Sequence, residues 1–357
     1  MIPHSNKMDP SFTRHVRFFC TSLKSWGTLV FLACMIVLSA PPAQCANLQS
    51  VVVALPATAM LFAPFYVAAD KRFYKKHNLN VSTRLVVGPA SANAVLSGSA
   101  DFSAGSGITV LHAVAMGAPL IAIAESSNQL QMRIIVTRNA LSQMSVGPNS
   151  PFEARVRALK GRIIAVGGIN GITDAFLRYV LGRVGLTQNQ IRLTTMQPDA
   201  MLAALHTGTI DGISLNAPTT TQAIAAGNVI LVNDPAQEKP LVSLNPFAYN
   251  LVLTTDNECK SRPAVCVDMI KALKEAEVFM AAHPTESIAM LRPKFSHLSA
   301  DILERAFHKT LEASNASLLV SARSMENAKE FSIAASILKP TQRLAPLRTV
   351  YTNAYNQ

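Results

Sequence analysis

The residues with chemistry to offer lie in five short turns: Pro56 to Met60, Gly88 to Asn93, Ala104 to Thr109, Gly167 to Asp174 and Asn216 to Thr221. Each is rich in Gly, Ser, Thr, Asn or Pro, and each joins a strand-like run to a helix-like one. Turns of this kind leave backbone N–H groups and hydroxyls at helix N-termini, where they bind anions and polar solutes without a charged side chain. Enzyme signatures do not occur. There is no His-Glu-x-x-His, no Gly-x-Ser-x-Gly and no Gly-x-x-x-x-Gly-Lys-[Ser/Thr]. The run Gly167-Gly168-Ile169-Asn170-Gly171 is spaced Gly-Gly-x-x-Gly, which does not fit a dinucleotide turn. His77, His112, His206, His283, His297 and His308 are dispersed. The expectation is therefore a binding protein and not an enzyme, with no catalytic residues, no cofactor and no metal site.

The elements that must hold these turns alternate. Strands are expected at Val51 to Ala54, Asn80 to Val87, Asp101 to Ser103, Leu120 to Glu125 and Arg133 to Thr137. Helices are expected between them at Pro64 to Phe73, at Ser91 to Leu96, and from the opening Gly105-Ser106-Gly107 through about Met116. After a polar stretch, Asn139 to Pro151, the alternation resumes. Strands are read at Ile163 to Val166, Arg192 to Thr195, Asp211 to Leu215, Val229 to Val232 and Asn250 to Thr254. Helices are read at Thr173 to Val184, with Thr173 as N-cap, at Asp199 to Leu205 and at Gln222 to Ala226. Strand–helix alternation is the signature of an α/β sheet. Beyond Thr254 the pattern is helical: Pro263 to Ala282, Thr285 to Leu291, Ser299 to Ser314 and Met325 to Leu338. One motif recurs in both series, a helix end, then Gly98 or Gly208, then Asp101 or Asp211 opening a strand. Its repetition points to two similar lobes.

Composition sharpens the class. The 357 residues are 49% hydrophobic and 15% charged, which excludes a disordered chain. The net charge is +11, but Lys and Arg are scattered and aromatics make up 6%, so a nucleic-acid partner is not expected. Lys7, Arg14, Arg17 and Lys24 precede the apolar run Trp26 to Ala40, and Pro41 to Ala46 follows. That order describes a signal peptide over residues 1–46. Removing it takes away four basic residues and one acidic one, and the net charge falls from +11 to +8. Cys20, Cys34 and Cys45 go with it, leaving Cys259 and Cys266. A close pair in an exported chain points to a disulfide, with two free thiols as the alternative.

From Val51 to Glu312 the chain resembles the periplasmic solute-binding proteins of ABC importers for sulfonate, taurine, nitrate and the thiamine-pyrimidine precursor. The resemblance rests on Ala63-Pro64-Phe65-Tyr66-Val67-Ala68, Leu96-Ser97-Gly98 with Asp101-Phe102, and Ala115-Met116-Gly117-Ala118-Pro119-Leu120. It continues through Leu159-Lys160-Gly161-Arg162-Ile163, Gly167 to Asp174, and Gly208 to Asp211 followed by Asn216-Ala217-Pro218. It implies an α/β, two-lobed type 2 periplasmic-binding fold, each lobe a mostly parallel sheet flanked by helices, joined by two crossover strands. The crossovers map to Arg133–Thr137 and Asn250–Thr254. Lobe 1 would then hold residues 47–137 and 254–357, and lobe 2 residues 138–253.

By the same resemblance the ligand set is Thr58, Met60, Phe62, Gly105, Ser106, Thr109, Asn170, Ile172, Thr173, Asp174, Asn216 and Pro218. The implied function is capture of a small polar or anionic organic solute in the periplasm by a monomer, and its delivery to a permease and ATPase at the inner membrane. Two other roles remain open: an enzyme related to thiamine-pyrimidine synthesis, and a sensory solute-binding subunit. The family's sulfonate binders commonly carry a Ser-rich helix start where this chain has Gly-Gly-Ile-Asn-Gly-Ile-Thr. Arg133 is a further candidate partner for a carboxylate.

Overall fold

The computed structural model describes residues 48–339 and 346–357. The expected signal segment lies outside the described residues. Among the described residues, ten strands form two five-stranded sheets. The first holds β1 (Gln49–Leu55), β2 (Leu79–Leu85), β3 (Phe102–Gly105), β4 (Leu120–Ser127) and β10 (Asn250–Thr255), in the order β2-β1-β3-β10-β4. The second holds β5 (Arg133–Val136), β6 (Ile163–Val166), β7 (Arg192–Thr195), β8 (Gly212–Leu215) and β9 (Val229–Val232), in the order β7-β6-β8-β5-β9. The two orders are the same path. In each sheet one strand alone runs antiparallel to its neighbours, β10 in the first and β5 in the second. Each of these strands follows in sequence from the other sheet. The chain thus passes between sheets twice, over residues 128–132 and 233–249. This is the two-lobed type 2 periplasmic-binding fold, with mostly parallel sheets.

The helices are α1 (Ala63–Asp70), α2 (Phe73–Lys76), α3 (Ala90–Leu96), α4 (Gly107–Ala115), α5 (Arg138–Ser142), α6 (Phe152–Arg157) and α7 (Ile172–Gly182). They continue with α8 (Pro198–Thr207), α9 (Thr219–Ala225), α10 (Asp256–Ser261), α11 (Pro263–Ala282), α12 (Pro284–Leu291), α13 (Ala300–Leu311) and α14 (Ala322–Ala334). Strand side chains alternate between faces, and the core follows that period. Ile134 and Val136 of β5 join one buried cluster while Ile135 joins another, with Ala165, Met201 and Ile213. A third cluster packs Val51, Val53 and Phe102 under α1, α11 and α13. The first of these clusters is continuous between the sheets. In it Phe331 of α14 stacks on Tyr179 of α7 at 4.8 Å and meets Phe247 edge-on at 5.2 Å.

Several expected boundaries move. The helix read as Pro64 to Phe73 breaks at Lys71–Arg72, where Arg72 takes a left-handed φ of 59° and α2 starts afresh. The polar stretch 139–151 holds α5, capped by the Thr137 hydroxyl accepting from Ala140 N–H at 3.0 Å. The helix expected from Gln222 begins at Thr219, because three weak helix formers, Thr219 to Thr221, are carried by burial of Thr219 and Thr220. Thr173 is not an N-cap. Gly171 holds that position, and Thr173 lies inside α7. Cys259 and Cys266 are joined by a disulfide with Cα atoms 5.6 Å apart, tying α10 to the first turn of α11.

Candidate functional site

In open α/β sheets ligands bind beyond the carboxyl ends of the strands. Here those ends converge. The segments after β1, β2 and β3 of the first sheet and after β6, β7 and β8 of the second line one cavity of about 190 Å³. All five Gly/Ser/Thr-rich turns contribute. Pro56 to Ala59 follows β1, Val87 to Pro89 follows β2, and Gly105 and Ser106 close β3. Gly167, Gly168 and Gly171 to Thr173 follow β6, and Asn216 to Thr219 follows β8. The walls are mainly apolar, with Leu61, Phe62, Val87, Ile172 and Leu215 among them. Among the described residues, no Asp, Glu, Lys, Arg or His lines this cavity.

Nine of the twelve expected ligand residues border it: Thr58, Phe62, Gly105, Ser106, Thr109, Ile172, Thr173, Asn216 and Pro218. The other three do not. Met60 is wholly buried in the core under α1. Asn170 sits at the exposed tip of the β6–α7 turn with φ 59°, the left-handed conformation that Asn tolerates. Asp174 is buried and turned into the protein. Its carboxylate accepts from Asn170 N–H at 2.8 Å, from Arg178 at 2.7 and 3.1 Å, and from Gln188 at 3.0 Å. Asp174 thus shapes the turn that the ligand groups stand on. Arg133 is also spoken for, donating to Asn233 and to Asp234, both at 2.9 Å.

Sequence reasoning missed seven lining residues: the apolar Leu61, Val87 and Leu215 beside the expected turns, and Gln197, Pro198, Tyr249 and Asn250. Gln197 and Pro198 follow β7 in a turn that contains no Gly and so carried no signal. Tyr249 and Asn250 stand where the chain re-enters the first sheet. Asn216 donates to the Tyr249 hydroxyl at 2.9 Å, and that hydroxyl points to Met132 Sδ at 3.6 Å. Burial raises the Tyr249 phenol pKa well above its usual value despite the Asn216 bond. Asn250 donates to Ser126 Oγ at 2.7 Å and to the Leu61 carbonyl at 3.2 Å.

The two lobes present their helix starts differently. At α4, Ser106 N–H donates to the Thr109 hydroxyl at 3.4 Å and Gly107 N–H to the Ala248 carbonyl at 2.7 Å. At α7, Gly171 has no side chain to cap the helix. Thr173 Oγ1 accepts from Gly167 N–H at 3.0 Å, which fixes the turn, and no side chain caps the first-turn N–H groups of α7.

A two-lobed α/β chain with a cavity at the facing carboxyl ends of its strands defines the class of periplasmic-binding folds. The chain belongs to the NMT1/THI5 like family, whose pattern matches residues 60–287. It is 28% identical over 229 residues to a protein of Brucella abortus (strain 2308) named as a binding protein, covering 62% of this chain and 64% of that one. The match thus spans less than two thirds of that relative's length. A solved structure from Bordetella bronchiseptica RB50 superposes with a TM-score of 0.75 at 20% identity, over 87% of this chain and 96% of that one. The periplasmic aliphatic sulphonate binding protein SsuA from Escherichia coli superposes with a TM-score of 0.63 at 19% identity, over 87% of this chain and 99% of that one. Among the described residues, no helix is long and apolar enough to cross a membrane.

Proposed function

We propose that this chain is a periplasmic solute-binding protein that captures a small organic solute between its lobes and hands it to an ABC-type permease and its ATPase. The observation that carries the reading is the cavity itself, built at the carboxyl ends of three parallel strands from each sheet and lined from both lobes. We place the lobe boundaries at the two passages between sheets, residues 128–132 and 233–249. The sulphonate-binding role named for the E. coli neighbour supports a transport function in general terms. An enzymatic reading draws less support, since the cavity walls carry no carboxylate, imidazole, thiol or amine among the described residues.

The test uses Gly168, whose added Cβ would meet nothing within 4 Å and which borders the cavity. Gly168→Phe fills the cleft from its wall. Wild type is expected to release a bound small molecule on denaturation, or to bind one from a solute panel, with a rise in melting temperature. The Gly168→Phe variant is expected to fold and bind nothing. In cells, deletion should abolish uptake of the identified solute, and wild type but not the variant should restore it. Equal binding by both proteins would remove the cavity from the proposal, and uptake unaffected by deletion would remove the transport role.

A further inference from the structure

We propose that the solute is uncharged: an apolar body bearing one carbonyl-type acceptor and one N–H or O–H donor, as in a carboxamide. The inference rests on the solute-binding reading and names the substrate class of that same cavity. Three observations carry it. The first is the absence of any ionised side chain from the walls among the described residues, with the nearby ions already paired, Arg178 to Asp174 and Arg133 to Asp234. Burying an ion without such a partner costs far more than burying a hydrogen-bonded neutral group.

The second is that several backbone and amide donors around the cavity are committed inside the protein. Gly107 N–H goes to Ala248, Gly167 N–H to Thr173, Asn170 N–H to Asp174, and the Asn250 amide to Ser126 and Leu61. At the start of α7, Gly171 supplies no side-chain cap and the first-turn N–H groups are open, as they are at the starts of α8 and α9, which no side chain caps either.

The third is an acceptor without a donor. Asn250 borders the cavity and is 1% exposed, and its Oδ1 has no hydrogen-bond partner. Its orientation is fixed, because turning the amide over would set Oδ1 against the Leu61 carbonyl. A buried carbonyl oxygen left unpaired repels an anion and is satisfied by a donor. Open N–H groups on one lobe and an unpaired acceptor on the other are complementary to a neutral group that carries both functions. Such a group would also favour closure, since each lobe holds a different end of it.

The experiment is calorimetric titration of the purified protein with pairs that differ only in charge: butanamide and butanoate, butane-1-sulfonamide and butane-1-sulfonate, nicotinamide and nicotinate, with nitrate and taurine added. The neutral member is expected to bind at least about tenfold more tightly in each pair that binds, with affinity nearly constant from low to high salt. An anion that outbinds its neutral partner, or affinity that falls steeply with salt, overturns the charge assignment and leaves solute binding standing. If no compound binds wild type better than it binds Gly168→Phe, the solute-binding reading is what fails. A second variant, Gly171→Ser, supplies α7 with a cap. Its added Cβ stands 3.3 Å from the Gly168 carbonyl oxygen, so Gly171→Ala is the control for that contact. Gly171→Ser should bind the neutral compound about tenfold more weakly than Gly171→Ala, and equal affinity would remove the α7 N–H groups from the proposal.

Discussion

Asp211 Oδ2 accepts the backbone N–H of Ile163 at 2.7 Å, and Asp211 returns its own N–H to the Ile163 carbonyl at 2.9 Å. The first sheet repeats the arrangement, with Asp101 Oδ2 accepting from Val52 at 2.6 Å and its N–H donating to the Val52 carbonyl at 2.9 Å. Each Asp opens the strand that flanks the first parallel strand of its sheet, after a helix stopped by a Gly in the left-handed region, Gly98 at φ 74° and Gly208 at φ 71°. Replacing either Asp by Ala strands a backbone N–H. Asp211→Ala should cost about 1–3 kcal/mol in urea unfolding. Asp101→Ala should cost more, because Arg262 hydrogen-bonds Asp101, whereas Arg162 stands 3.8 Å from Asp211. Equal and negligible losses would show that the carboxylates only decorate the turn.

That Gly-x-x-Asp repeat was legible in the sequence, and so was the lobe duplication it marks. All ten strands were too, some of them as β-branched runs such as Val51-Val52-Val53 and Ile163-Ile164, which are buried or half-buried in the sheets. The cavity was legible wherever a turn advertised itself with Gly, Ser or Thr. It was not legible at Gln197, whose turn has no Gly, nor at Asn250, which spacing reads as one more strand residue. Asp174 misled for a related reason. A carboxylate in the first turn of a helix looks available to the site, but Arg178, one turn along α7, and Gln188, beyond the end of α7, draw it inward.

Two buried carboxyls give the protein a pH dependence. Glu125 on β4 accepts from Ser321 N–H at 3.1 Å and from the Ser324 hydroxyl at 3.0 Å. Glu277 on α11 accepts from Ser314 at 2.6 Å. Burial pushes each pKa up to about 7, only partly offset by these bonds. The unfolded chain ionises near the ordinary value of 4.5, so between about 4.5 and 7 the folded state holds more protons than the unfolded one. Stability should therefore fall as pH rises through that window and level off above it. Glu125→Gln with Glu277→Gln should flatten the melting-temperature profile between pH 4.5 and 7 and raise it at pH 8. A double variant that keeps the wild-type slope would place the dependence elsewhere.

The disulfide closes a short loop, seven residues in sequence separation, between α10 and α11. Chain entropy alone predicts a contribution of about 2–3 kcal/mol. Cys266→Ser should lower unfolding free energy by that amount, and dithiothreitol should lower the wild type equally while leaving the variant unmoved. Cys266 is fully buried, so the serine hydroxyl adds a desolvation cost. Cys266→Ala separates that cost from the loss of the cross-link.

Asp234 gathers charges at the passage between sheets. Its Oδ2 accepts from Arg133 at 2.9 Å and lies 3.5 Å from Lys309 of α13, while its side chain is 2% exposed. Removing one partner of a buried ion pair costs roughly 3–5 kcal/mol, because the remaining charge is left without compensation. Asp234→Ala should therefore destabilise strongly, with Arg133 and Lys309 turned against each other. Arg133→Met added to it removes one of the stranded charges and should recover part of the loss. In a double-mutant cycle the coupling should exceed about 1 kcal/mol, whereas strictly additive effects would mean that Arg133 and Asp234 act on the fold independently. If Arg133 served the ligand instead, Arg133→Met alone would weaken solute binding with little change in unfolding. The geometry predicts the reverse, a loss of stability at nearly constant affinity.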